Sequence, residues 1–157
     1  MEWVLLCVGK TADQAGEQQI LDYQKRISRY FNFEIITLPA VKSNKNWAVP
    51  IQQTKEEEKL LSQLRPQDKV VLLDEKGNHY TSVDFAQKLD KMQHQGSKRI
   101  VFIVGGPYGF SAAFKKQFPE HLALSKMTFS HQMIRLFFCE QLYRACTILN
   151  NHPYHNT

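Results

Sequence analysis

Apolar and polar positions alternate along this chain in two rhythms, short unbroken apolar runs and longer stretches with a three-to-four residue spacing. Glu2–Val8 is an apolar run closed by Gly9 and predicts a strand buried on both faces. From about Glu17 to Tyr30, Ile20, Tyr23, Ile27 and Tyr30 fall on one helical face, with Lys25, Arg26 and Arg29 largely elsewhere. Phe33–Leu38, ended by Pro39, is the second strand. The pattern then dissolves from Ala40 to Gln53 into an exposed loop, where Trp47, beside Lys42 and Lys45, could stack on a base or pack onto the body. Thr54–Leu64 predicts a helix with Leu60, Leu61 and Leu64 inward and Lys55 to Lys59 a solvated charged face.

Lys69–Asp74 reads as the third strand and Glu75–Asn78 as a turn. Thr81 and Asp84 have capping-box spacing and open a helix to Gln95, with Phe85, Leu89 and Met92 inward and Gly96 stopping it. Ile100–Val104 is the fourth strand and Leu122–Ser125 a short fifth. Strands separated by helical stretches predict an α/β fold, a mostly parallel sheet flanked by helices, as one domain over 1–157. Ligands in such folds bind beyond the strands' carboxyl ends, which here means Gly9, the Leu73-Asp74-Glu75 corner, Gly105-Gly106 and the residues after Leu124.

Two stretches stand out from that frame. Gly105-Gly106-Pro107-Tyr108-Gly109 follows a buried strand but is neither a P-loop nor a GxGxxG site, so it serves equally as a structural turn or a place of close ligand approach. From Ser130 to Leu149 the helix is apolar over more than one stripe, which predicts a central position and a homodimer through it. Glu140 and Arg144, four apart, pair at the least as a local ion pair. His152, Tyr154 and His155 follow directly, residue types that exchange protons, orient a base or stack on one. His131 fits a role in organising the preceding turn.

Composition narrows the chemistry only slightly. A formal charge of +5 permits a polyanionic partner without establishing one. There is no long apolar run to span a membrane and no secretory pattern at the N-terminus, so the expected place is the cytoplasm. Cys7, Cys139 and Cys146 lack metal-site spacing and sit in apolar segments, predicting buried thiols; no histidine spacing favours a metal.

Assembled, Val8-Gly9-Lys10, Val70–Asp74, Phe102–Pro107 with Gly109, Leu124–Phe129, His131, Arg135, Glu140–Ala145 and Asn151–His155 resemble the RlmH type of 23S ribosomal RNA pseudouridine N3-methyltransferases of the SPOUT superfamily. The resemblance covers essentially the whole chain. It implies a C-terminal deep trefoil knot, bent S-adenosylmethionine bound in it, and a homodimer acting on the helix 69 stem-loop of large-subunit rRNA, within the assembled 70S ribosome. By resemblance, Leu73, Gly105 and the run Leu124, Ser125, Lys126, Met127, Thr128 and Phe129 hold the donor. Arg144, Tyr154 and His155 form the acceptor side, one subunit's tail reaching toward the other's cofactor, and Arg135 is structural. Ser130 and Phe110 replace the family's usual proline and leucine, and the loop Lys42 to Pro50 is divergent. The competing readings are an RNA-binding or ribosome-assembly protein without catalysis and an unrelated nucleotide-binding α/β enzyme.

Overall fold

A computed structural model describes residues 1–42, 44 and 46–156. Lys45, read above as a neighbour of Trp47, lies outside the described residues. The elements run β1 (Glu2–Val8), α1 (Gln14–Ile27), β2 (Asn32–Leu38), α2 (Val49–Leu61), β3 (Lys69–His79), α3 (Ser82–His94), β4 (Arg99–Val104), α4 (Ala112–Gln117), β5 (His121–Ala123) and α5 (Met133–Leu149). The strands form one sheet in the order β2-β1-β4-β3-β5, every neighbouring pair parallel. The expected α/β architecture is therefore observed.

The continuous apolar runs follow from the layers. Along β1, Trp3, Leu5 and Cys7 face a core closed by α1, α3 and α5, while Val4, Leu6 and Val8 face a second core closed by α2 and α4. All six residues of β4 are buried, because it lies at the centre of the sheet with helices on both sides. From Ile100 to Val104 the two inner faces leave no room for a polar alternate, and the buried Arg99 at the strand's start is paired with Asp68. Trp3 stacks on Phe102 with centroids 5.9 Å apart. Cys7, Cys139 and Cys146 are free and buried, and burial pushes the Cys7 thiol up to about 12 despite the nearby Arg135.

Four expectations are corrected. α1 starts at Gln14, because Asp13 caps it by accepting from the Ala15 and Gly16 amides, and it ends at Ile27. α2 starts at Val49, with Pro50 in the first turn where its missing N–H costs nothing, so the end of the expected loop is helical. Its charged stretch is not wholly solvated: Glu56 and Glu57 are buried and Leu61 is exposed, since the inward face is set by Gln52, Glu56 and Leu60 at four-residue spacing. Finally, Glu75–Asn78 is no turn. β3 continues through it to His79 with a register break between Leu73 and Asn78 where it passes β5.

The remaining elements match the pattern. Thr81 accepts from the Asp84 amide at 3.1 Å to start α3, and Gly96, at φ +79°, ends it. Ahead of α5 the Ser130 hydroxyl accepts from the Met133 amide at 3.2 Å and its carbonyl from the Ile134 amide at 3.1 Å, so serine closes the turn into the helix, whose cap position is Gln132. α5 packs against both α1 and α3, burying Phe138, Cys139, Leu142, Ala145 and Cys146.

Candidate active site

The parallel pairing of β3 with β4 puts Leu73, the last β3 residue in that ladder, beside Val104 at the carboxyl end of β4. From Val104 the chain enters the glycine turn, closed by the Gly109 amide donating to the Gly106 carbonyl at 3.0 Å, with Gly109 at φ +64°. A β-carbon on Gly105 would stand 3.2 Å from the Phe110 ring, which would have to give by a few tenths of an ångström to admit it. Phe110 itself is buried and stacks on Phe114 at 5.5 Å.

Helix α2 holds this turn from behind. Gln53 Nε2 donates to the Tyr108 carbonyl at 2.9 Å, Glu57 accepts from the Ser111 amide at 2.6 Å and its hydroxyl at 2.8 Å, and the Glu56 carboxyl lies against Gly106. Burial raises the Glu56 pKa, Glu57 adds to that, and the hydrogen bond from Gln52 opposes it. Nothing in the sequence near Glu56 announces this contact.

Beyond β5, residues 125–129 form an irregular wall opposite the turn. The Thr128 hydroxyl donates to Glu75 Oε2 at 2.6 Å, and the Met127 amide to Ser125 Oγ at 3.0 Å. Among the described residues, the backbone groups of Ser125, Lys126, Thr128 and Phe129 make no hydrogen bond within the chain. These two walls enclose a cavity of about 660 Å³, in the range of small-molecule sites. Leu73, Gly105, Leu124, Ser125, Met127, Thr128 and Phe129 line it; Lys126, exposed, does not. Asp74, Lys115, His131 and Ile134 line it too. Of these, Lys115 carried no signal, because the short α4 belongs to no motif.

Two titratable groups on the cavity wall are perturbed. Partial burial, then the Arg135 charge, lower the His131 pKa and favour a neutral ring at neutral pH. Burial raises the Asp74 pKa, but Lys115, the Lys76 amide and His121 together outweigh it and hold the carboxyl below its usual range. Arg135 stands behind the cavity. Its guanidinium is buried and donates to the Gly9 carbonyl at 2.7 Å and the Val8 carbonyl at 2.8 Å, tying α5 to the end of β1, the structural role expected of it.

A second cluster forms at the other end of α5. The chain reverses at Asn151, at φ 53°, and the tail returns along α5 and α1. Arg144 Nη2 donates to Glu140 Oε1 at 2.5 Å, and the Tyr154 hydroxyl donates to the same oxygen at 3.1 Å. Arg144 lies over the Tyr154 ring, 4.8 Å from its centroid. Arg144 Nη1 is 3.3 Å from His155 Nδ1; a guanidinium only donates, so Nδ1 accepts and the neutral ring carries its proton on Nε2. The hydrogen bond and charge of Glu140 hold Arg144 cationic. Burial, Tyr23 and Glu140 push the Tyr154 pKa up, keeping its hydroxyl protonated.

Arg144, Tyr154 and His155 are thus brought together, but none lines the cavity. Ile134, which does, precedes Arg144 by ten residues of α5, roughly 15 Å at a helical rise. On the cavity's 124–129 wall Met127 and Phe129 are exposed, as are Met133 and Phe137 on α5, and the rings of Phe129 and Phe137 meet at 4.9 Å.

Residues 1–155 match the family model described as predicted SPOUT methyltransferase. Curated relatives include proteins named ribosomal RNA large subunit methyltransferase H. That of Parabacteroides distasonis is 51% identical over 152 residues, 97% of each chain. That of Porphyromonas gingivalis is 47% identical over 156 residues, 99% of each chain, and that of Flavobacterium johnsoniae 47% over 152 residues, 97% of each.

Proposed function

The chain belongs to the SPOUT methyltransferase family, and from that we propose that it transfers a methyl group from S-adenosylmethionine to N3 of a pseudouridine in the helix 69 stem-loop of 23S ribosomal RNA, within assembled 70S ribosomes. The observation that carries the donor side is the cavity between Gly105 and the 124–129 wall. Its apolar side chains, Leu73 and Leu124, suit an adenosine face, and the unpaired backbone groups of 125–129 suit the edge of the base. The reading includes a deep trefoil knot in the C-terminal part and a single cytoplasmic domain. Among the described residues no helix is long and apolar enough to cross a membrane.

The acceptor side works through a homodimer. The distance along α5 separates Arg144, Tyr154 and His155 from the cavity of their own chain, and the exposed Met133 and Phe137 give α5 an apolar face for a second copy. A partner's tail then meets this chain's donor. When bound, S-adenosylmethionine supplies an electrophilic methyl on a sulfonium. As the pseudouridine N3 attacks it, the N3 proton must leave. Neutral His155 can take that proton only at Nδ1, the nitrogen Arg144 occupies in the free protein. Substrate therefore displaces Arg144 from His155, which frees the guanidinium for a phosphate or base oxygen while Glu140 keeps it charged. Tyr154, still protonated and with its one hydroxyl proton given to Glu140, orients the base through its ring and its hydroxyl lone pair. The rate gain is one of placement and electrostatics.

Labelled donor incubated with the protein and either 50S subunits or 70S ribosomes, followed by mapping of the modified nucleotide by mass spectrometry, tests this. A donor-dependent methyl at a helix 69 pseudouridine is the expected result. No mark on either particle would refute the activity.

A further inference from the structure

We infer that Lys115 binds the α-carboxylate at the amino-acid end of the methyl donor and that Asp74 positions Lys115 to do so; this rests on the donor reading above. Asp74 stands where β3 leaves its pairing with β4, its side chain only 8% exposed. The Lys76 amide holds Asp74 Oδ1 at 3.1 Å, and Lys115 Nζ lies 2.5 Å from Oδ2, in ion-pair contact. His121 Nδ1 stands 3.7 Å from the same oxygen, with Nε2 turned to the Phe118 carbonyl at 2.9 Å. The carboxylate is thus fixed from several sides, and it fixes the ammonium on the cavity wall, where both residues lie. One ammonium proton serves Asp74 and two remain to donate.

Adenosine has no charge to answer this cation, and the walls around Leu73, Gly105 and Leu124 already suit it. The donor's only anionic group is the carboxylate of its amino-acid end. That end is a zwitterion, so it meets the neutral Asp74–Lys115 pair without adding net charge to a partly buried place, whereas an RNA phosphate would add one. The nearby Glu75, tied to Thr128, faces the same cavity and suits the accompanying ammonium.

Calorimetry on the full chain without RNA tests the assignment with two nucleosides. S-adenosylhomocysteine keeps the amino-acid end and 5′-methylthioadenosine lacks it. Lys115→Met is expected to weaken the first by about tenfold or more while leaving the second within about twofold, Lys115→Arg to retain most of the affinity, and Asp74→Asn to fall between. An unchanged ratio of the two affinities in Lys115→Met overturns the assignment alone, and so does a variant that loses only RNA methylation, which would give the cation to a phosphate. Wild-type protein that binds neither nucleoside overturns the donor reading and the assignment with it. Should Lys115→Met lose both ligands through misfolding, Lys115→Gln set against Lys115→Arg makes the same comparison.

Discussion

Tyr154 donates its hydroxyl to Glu140 Oε1 across 3.1 Å, sharing that oxygen with Arg144. The bond ties the tail to α5 before any substrate arrives, so the proposed acceptor cluster of Arg144, Tyr154 and His155 is assembled in the free protein. Its loss should reach catalysis while sparing the core, since Tyr154 is only half-buried and packs on Tyr143 and Tyr23 at the surface of α1 and α5.

Removal of residues 153–157 is therefore expected to abolish methylation and leave the dimer intact by light scattering. Tyr154→Phe keeps the ring under Arg144 but frees Glu140, and should lower kcat by about tenfold or more with little change in donor affinity. Full activity of the truncated protein would remove the tail from the mechanism.

Arg135 gives a contrasting expectation. Its guanidinium fills the space between α5 and β1 and donates to two carbonyls there, those of Val8 and Gly9. Arg135→Met retains bulk but strands both, so a loss of about 3 kcal/mol in denaturant unfolding is expected. The cavity should suffer with it, because His131 and Ile134, which line it, immediately precede Arg135 in the chain. A stability within about 0.5 kcal/mol of wild type would show the carbonyls to be solvated instead.

The sequence made the sheet legible wherever a strand was buried on both faces, since β1 and β4 are apolar throughout except at their first residues, Glu2 and Arg99, which pair with each other at the strands' amino ends. It also made the chemistry-bearing types legible at strand ends and in the tail. What it concealed are contacts between distant segments. Lys55 to Lys59 looks solvated because charge is usually so, yet the burial of Glu56 and Glu57 depends on Gly106 and Ser111, some fifty residues away. Gly77 looks like a turn glycine, yet it is needed where β3 crosses β5: a β-carbon there would meet the His121 carbonyl carbon at 2.7 Å. Periodicity carries no record of such pairings. Likewise Glu140 and Arg144 were visible as a local pair, but Tyr23 and the tail joined them only through the reversal at Asn151.

Glu56 supplies the last expectation, one of sign. Its Oε1 accepts from Gln52 Nε2 at 2.9 Å, while Oε2 is buried against Gly106 without a hydrogen-bond partner among the described residues. Because its folded pKa is raised above 4.5, the folded state holds the proton where the unfolded chain has released it. Stability from this group is thus fully present below about pH 4 and is lost as pH rises through the raised folded value. Glu56→Gln keeps the shape and the oxygen facing Gln52 and carries no charge, so its stability relative to wild type should increase as pH rises from 4.5 toward neutrality and then level off. Chemical denaturation of both proteins at pH 4.5, 6 and 7.5 measures it. A difference that shrinks with rising pH would mean the carboxylate is stabilised where it lies, and that the glycine turn rests on a charge.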